Sequence, residues 1–436
     1  MKGNVYAIQI GQCGLQLGHE FWKQMCSKFY INPDGSQKIN YKDPNERKKE
    51  MFFNETSSGK MTPRAILFDL EPRILNKLKN STFSNFYSRN NMISDKQSAG
   101  NNWVNGYNKA SEYRDILENI FRKNIERCDQ TPSFNIFHSL VGGTGSGASS
   151  FILEMIRDEF LGKFISSYTI IPNQKQNSDT VVQPYNSILS LRWLTLYCNC
   201  VILFENSSIE RIINCHNGNV KTHLLQINSL IAKIITISNS SILSSEIFED
   251  DMEAVFTPLI PTPNLHFFTS GISNHNMRGK KKENIISSKI DSMRRMILNH
   301  STSNCFKYGK LISSFHFLNH KSTKMNFYED LRKVYEENKI KFIDWAPPSI
   351  HYSNNKCTDK ENSYNTEICF YNHTSVKSIF KETLKQYDIL RKRNAFLNNY
   401  LREFTSQNGI ETFDDARETI HSLISEYAAA DTCFFP

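Results

Sequence analysis

An α/β fold around a parallel sheet is predicted by three observations. Apolar runs at Val5–Ile10, 65–68, 134–141, 168–172 and 200–204 alternate with helical patterns, as in a parallel sheet sandwiched by helices. One run empties into Gly142-Gly-Thr-Gly-Ser-Gly147, followed by a helical stretch in which Phe151, Ile152, Met155, Ile156 and Phe160 share one face. The first run likewise ends in Gly11-Gln-Cys-Gly14 and enters a helix through Trp22.

The elements follow in order. The 65–68 run leads to Asp69-Leu-Glu-Pro72, and the 168–172 run follows the helix behind the glycines. Beyond residue 205 a long helical pattern covers 223–235. A second mixed segment then carries strands at 266–271, 311–318 and 367–372. Helices at 374–403 and 412–429 finish the chain, the latter with Thr412 as its cap and Asp414 and Asp415 in its first turn.

The glycine loop reads as a phosphate cradle. Glycine admits positive φ and close backbone approach, and the amides and dipole of the next helix attract an anion. Thr144 and Ser146 add hydroxyl donors. Gly143, Gly145 and Ala148 also fit G-x-G-x-x-A, but the strand that should end in a ribose-binding carboxylate closes with Tyr168-Thr-Ile-Ile-Pro172. A Walker loop is excluded because no Lys-Ser or Lys-Thr pair follows the glycines. The expected domains are nucleotide-binding (1–205), core helix plus intermediate (206–372) and C-terminal helical (373–436).

Composition narrows the class. With 436 residues, 39% hydrophobic and 22% charged, the chain has material for two or three packed domains. No apolar run reaches 18 residues, which argues against a membrane span, and the start on a strand pattern leaves no visible signal peptide, so a cytosolic location is expected. Ten scattered cysteines without a C-x-x-C pair fit reduced thiols. The net charge of +8 is not organised for nucleic acid: its densest cluster, Arg278-Gly-Lys-Lys-Lys282, lacks interleaved aromatics. His316 and His320 have i, i+4 spacing but no third ligand nearby, which disfavours a metal site.

Two glycine turns followed in order by Asp69-Leu-Glu-Pro72, Ala99-Gly-Asn-Asn-Trp103, Gly142 to Gly147, Asp179-Thr-Val-Val-Gln-Pro-Tyr-Asn186 and Asn228 resemble the tubulin family. Glu20-Phe-Trp-Lys-Gln24, Leu259-Ile-Pro-Thr-Pro263, Asn372-His-Thr-Ser375 and Gln386-Tyr-Asp-Ile-Leu-Arg-Lys-Arg393 are similar to its gamma branch. The resemblance runs end to end and thins over 236–250, 272–286 and 354–365. It implies a tubulin-like fold: a parallel-sheet GTP-binding domain, a core helix, a second mixed α/β domain and C-terminal helices.

The resemblance also implies the site. GTP or GDP would be held by Gln12, Cys13, Asn102, Val141, Gly142, Gly143, Thr144, Gly145, Ser146, Gly147, Asp179, Asn206, Leu224 and Asn228. Asp179 would hold the ribose, and Asn206 and Asn228 would read guanine. Asp69 and Glu71 would hold Mg2+ through water, although both could instead cap the next helix. Two positions depart from the family. Leu224 stands where an aromatic often stacks on the base, and Ala254 stands where alpha-tubulins place the glutamate that activates water. The gamma-branch likeness implies microtubule nucleation at a microtubule-organising centre or spindle pole, within the cytoplasm and cytoskeleton. Its partners would be gamma-tubulin complex scaffold proteins, alpha/beta-tubulin and lateral copies of itself, with no membrane and no nucleic acid. The absence of a Glu-rich tail after Ala428-Ala-Ala-Asp-Thr-Cys-Phe-Phe-Pro436 is a further expectation for that branch.

Overall fold

The structure is a computed structural model that describes residues 4–38, 49–172, 181–217, 223–244, 252–274, 309–320, 327–337, 340–356, 366–404 and 409–433. The chain begins with β1 (Val5–Ile10), α1 (Gly11–Lys28), β2 (Phe53–Glu55), β3 (Met61–Pro63), β4 (Ala65–Asp69), α2 (Pro72–Lys79) and β5 (Met92–Ser94). Next come α3 (Trp103–Glu112), α4 (Arg114–Glu126), β6 (Ser133–Ser139), α5 (Ser149–Glu159), β7 (Ile165–Ile171) and α6 (Gln183–Tyr197). After β8 (Cys200–Glu205) follow α7 (Asn206–Asn217), α8 (Leu224–Ser244), α9 (Met252–Phe256), β9 (Phe267–Asn274), β10 (Leu311–His320), α10 (Phe327–Glu337), β11 (Ser349–Lys356) and β12 (Thr366–His373). The last helices are α11 (Lys377–Lys392), α12 (Leu397–Leu401) and α13 (Gly409–Ala429). No helix among the described residues is long and apolar enough to cross a membrane.

The chain divides into two compact units, 1–201 with 380–422, and 202–379 with 423–436. In the first, the sheet order is β7-β6-β1-β4-β5, with every neighbouring pair parallel. The central strand β1 is buried along its whole length, which explains why its sequence, Val-Tyr-Ala-Ile-Gln-Ile, is a near-continuous apolar run. Helix α6 is buried through Tyr185–Leu191 and again at Leu194, so its first two turns carry apolar and small polar residues on every face. Tyr185, Tyr400 and Phe413 interlock with ring centroids 5.4–5.7 Å apart.

In the second unit β12 pairs antiparallel with β9 and β10, and β11 adds parallel to β10. Leu311, Leu331, Val334, Tyr335, Cys369 and Tyr371 form a buried cluster there. His316 is enclosed by the Tyr335 hydroxyl at 3.0 Å and the Cys369 thiol at 3.4 Å from its Nε2.

Two C-terminal expectations are corrected. The helix expected over 374–403 is broken: a 3-10 turn at Thr374–Val376 precedes α11, and Asn394 and Phe396, at φ +49° and +59°, separate α11 from α12. The final helix starts at Gly409 rather than beyond a Thr412 cap, so Thr412 lies within its first turn, just before the fully buried Phe413. The basic cluster 278–282 and Asp179 lie outside the described residues.

Candidate nucleotide site

Two strand-to-helix junctions meet in the first unit. β1 passes into α1 through Gly11, whose φ of +69° suits glycine and strains other residues. A Cβ on Gly11 would lie 3.0 Å from the Gly145 amide nitrogen, so the two junctions touch backbone to backbone. On the other flank, a Cβ on Gly106 would fall 2.2 Å from the Gly143 carbonyl oxygen, and one on Gly147 would fall 2.1 Å from that of Trp103. The loop is therefore clasped between α1 and α3 with no side chain between the chains.

The glycines act by closeness rather than by handedness. None of Gly142, Gly143, Gly145 and Gly147 takes a positive φ, which corrects that part of the expectation. Gly143 is already helical at φ −58° and ψ −52°, and Thr144–Ala148 winds as one π turn into α5. Val141, Gly142 and Thr144 stay partly open, whereas Gly143, Gly145, Ser146 and Gly147 are buried. Ser146 gives both its hydroxyl (2.6 Å) and its amide (2.9 Å) to the Gly142 carbonyl. It braces the loop instead of offering an anion its hydroxyl. The open rim, together with the first amides of the helical turn, is what an anion can reach.

His138, which the sequence reading passed over, supports the loop from β6. Its Nδ1 lies 3.0 Å from the Gly145 carbonyl, which can only accept, so Nδ1 carries the proton. Nε2 then accepts from Ser167 or Thr169, each 3.0 Å away. Burial lowers its pKa to about 4, keeping the ring neutral. The signal was a histidine inside an otherwise apolar strand just before the glycines.

The carboxylates are arranged unequally. Asp69 ends β4 fully buried; its Oδ1 accepts the Glu71 amide at 3.2 Å, and its Oδ2 is buried with no partner among the described residues. Burial pushes its pKa up to about 6. Glu71 is exposed, makes no capping bond to α2 and accepts the Ser98 hydroxyl at 2.6 Å. An orphaned buried carboxylate oxygen beside a second, exposed carboxylate fits a hydrated Mg2+, which keeps most of its waters and needs one or two carboxylates. Among the described residues no three His, Cys, Asp or Glu side chains form a direct metal cluster.

In the first turn of α1, Gln12 is exposed and Cys13 half-buried, its thiol pushed up to about 12 by burial. Asn102 caps α3: its Oδ1 accepts the Val104 amide at 2.9 Å, and its Nδ2 donates to the Asn399 carbonyl at 3.0 Å. The model of the Tubulin/FtsZ family GTPase domain matches residues 4–214. This segment is similar to the GTPase domain of the Tubulin/FtsZ family. That similarity implies guanine-nucleotide binding.

The matched GTPase domain extends through β8 into α7, which Asn206 opens. Asn206 Oδ1 is buried without a partner among the described residues, an unmet acceptor of the kind a base edge satisfies. Asn228 is buried on α8, and Leu224 at the start of that helix is 65% exposed.

Proposed function

We propose that the protein is a GTP-binding tubulin of the gamma type that nucleates microtubules at a microtubule-organising centre or spindle pole by templating alpha/beta-tubulin. The observation that carries the nucleotide part is the contact of two glycine junctions, Gly11 on Gly145, which leaves the loop rim as an anion seat. In this reading Val141 to Thr144 face the phosphates, Gln12 and Cys13 line the seat, and Asp179 takes the ribose. Asn206 and Asn228 pair with guanine beside Leu224, and Asp69 with Glu71 holds Mg2+ through water.

The gamma assignment rests on the segments quoted above and on Ala254. That residue is half-buried in α9 and offers no carboxylate, while the neighbouring Glu253 is exposed. Hydrolysis by the isolated chain is therefore expected to be very slow, with stimulation requiring a carboxylate from a docked alpha-tubulin. Affinity purification from the native cell tests the reading. Recovery of gamma-tubulin complex scaffold proteins, and binding confined to microtubule ends, are expected. Uniform incorporation along the lattice would instead identify a lattice tubulin, and fast GTP turnover by the isolated chain would overturn the template role.

A further inference from the structure

Asn186, the fourth residue of α6, is fully buried and uses every hydrogen-bonding group of its amide. Nδ2 donates to the Val141 carbonyl at 2.7 Å and to the Asn101 carbonyl at 2.9 Å. Oδ1 accepts from the Trp103 amide at 3.0 Å and from the Tyr400 hydroxyl at 2.7 Å. Val141 is the entry to the glycine loop, and Asn101 to Trp103 is the turn that opens α3. The side chain therefore holds both loops at once.

The loops it joins approach each other closely. A Cβ on Gly143 would lie 2.7 Å from the Asn102 amide nitrogen and 2.9 Å from the Ala99 Cβ, so the two segments sit at contact distance. Asn101 is held at φ +55°, a conformation that persists where surrounding bonds over-determine it. Removing the Asn186 amide would leave two carbonyls and one amide without their partner and free the loops to part.

We propose that Asn186 is a positioning residue that sets the spacing of the two phosphate-facing loops, so that its contribution to nucleotide affinity falls on the phosphates and not on the base. The inference rests on the guanine-nucleotide reading of the loop. It assigns Tyr400 a lesser part, because the Asn186 oxygen still accepts the Trp103 amide when the Tyr400 hydroxyl is absent.

Equilibrium binding of GTP and of GMP to the full chain separates the cases, using wild type, Asn186→Asp, Asn186→Ser and Tyr400→Phe, each checked for native circular dichroism. Asn186→Asp loses both donors and turns a carboxylate toward two carbonyls. It should weaken GTP about tenfold or more, the equivalent of one hydrogen bond, while leaving GMP nearly unchanged. Asn186→Ser, which keeps one small donor and serves if the aspartate variant does not fold, should shift the GTP-to-GMP preference the same way by less. Tyr400→Phe should keep the wild-type preference. Equal weakening of GTP and GMP in both Asn186 variants would make the residue merely structural, and unchanged GTP affinity would remove it from the site; either result overturns the proposal. A wild-type chain that binds neither nucleotide would overturn the guanine reading itself and this inference with it.

Discussion

At single positions, the glycine loop separates two kinds of glycine. Gly147→Ala would place a Cβ 2.1 Å from the Trp103 carbonyl oxygen, where backbone must move, while a Cβ on Gly142 meets nothing within 4 Å. Thermal unfolding should therefore show Gly147→Ala destabilised by several kcal/mol, on the order of 3, and Gly142→Ala within about 0.5 of wild type. Equal midpoints for the two would refute the clasp between the loop and α3. Asp69→Asn makes a second test. Its carboxyl titrates at about 6 against an ordinary 3.8, so above pH 6 the buried charge opposes folding, and the opposition disappears as pH falls through 6 toward 4. The amide should raise stability by up to about 3 kcal/mol at pH 7.5 and by little at pH 4.5. It should also weaken the Mg2+ dependence of nucleotide retention, read by titrating the metal. The phosphate loop was legible in sequence because four glycines between a strand and a helix admit few other uses. The tasks of Ser146 and His138 were not, because hydrogen bonds to Gly142 and Gly145 depend on how the loop winds, and composition does not encode a π turn.

Among the elements, strands buried on both faces were the readable ones. β1 has the bounds its apolar run suggests, and β4, β6, β7 and β8 differ by a few residues at their ends. β11 escaped notice because Ser-Ile-His-Tyr-Ser-Asn-Asn-Lys carries neither an apolar run nor clean alternation. The break between α11 and α12 has no proline or glycine to announce it. There the cost is borne by Phe396, left-handed at φ +59° and half exposed, where a side chain costs about 1–2 kcal/mol. Phe396→Gly should accordingly leave the unfolding midpoint unchanged or raise it, with a gain of about 1 kcal/mol at most. A marked loss would mean that the phenyl ring packs on something in solution that outweighs the strain.

For the molecule as a whole, acid stability follows from buried imidazoles. His19, His138 and His373 are lowered to about 4 and His316 to about 3, in each case chiefly by burial, against an ordinary 6.5. Each native ring resists a proton that the unfolded chain accepts. Stability is thus full above pH 6.5 and is lost as pH falls toward 4. Asp69 acts in the opposite sense over part of that range, one group against four. The unfolding midpoint should drop by about 5 °C or more between pH 7.5 and 5, and a flat profile would show that these rings are hydrated in solution.

The discontinuous make-up of the first unit bears on how the protein is born. On a ribosome β1 emerges well before its partner β6: Val5 pairs with Ser133, 128 positions later. At roughly 5–20 residues per second that is about 6–26 s during which an apolar strand waits with one edge open. The same unit also needs residues 380–422, which begin 179 positions after residue 201. Its folding therefore cannot be completed until residues 380–422 have been translated, so the strands of the first 201 residues spend that interval without the helices that pack with them.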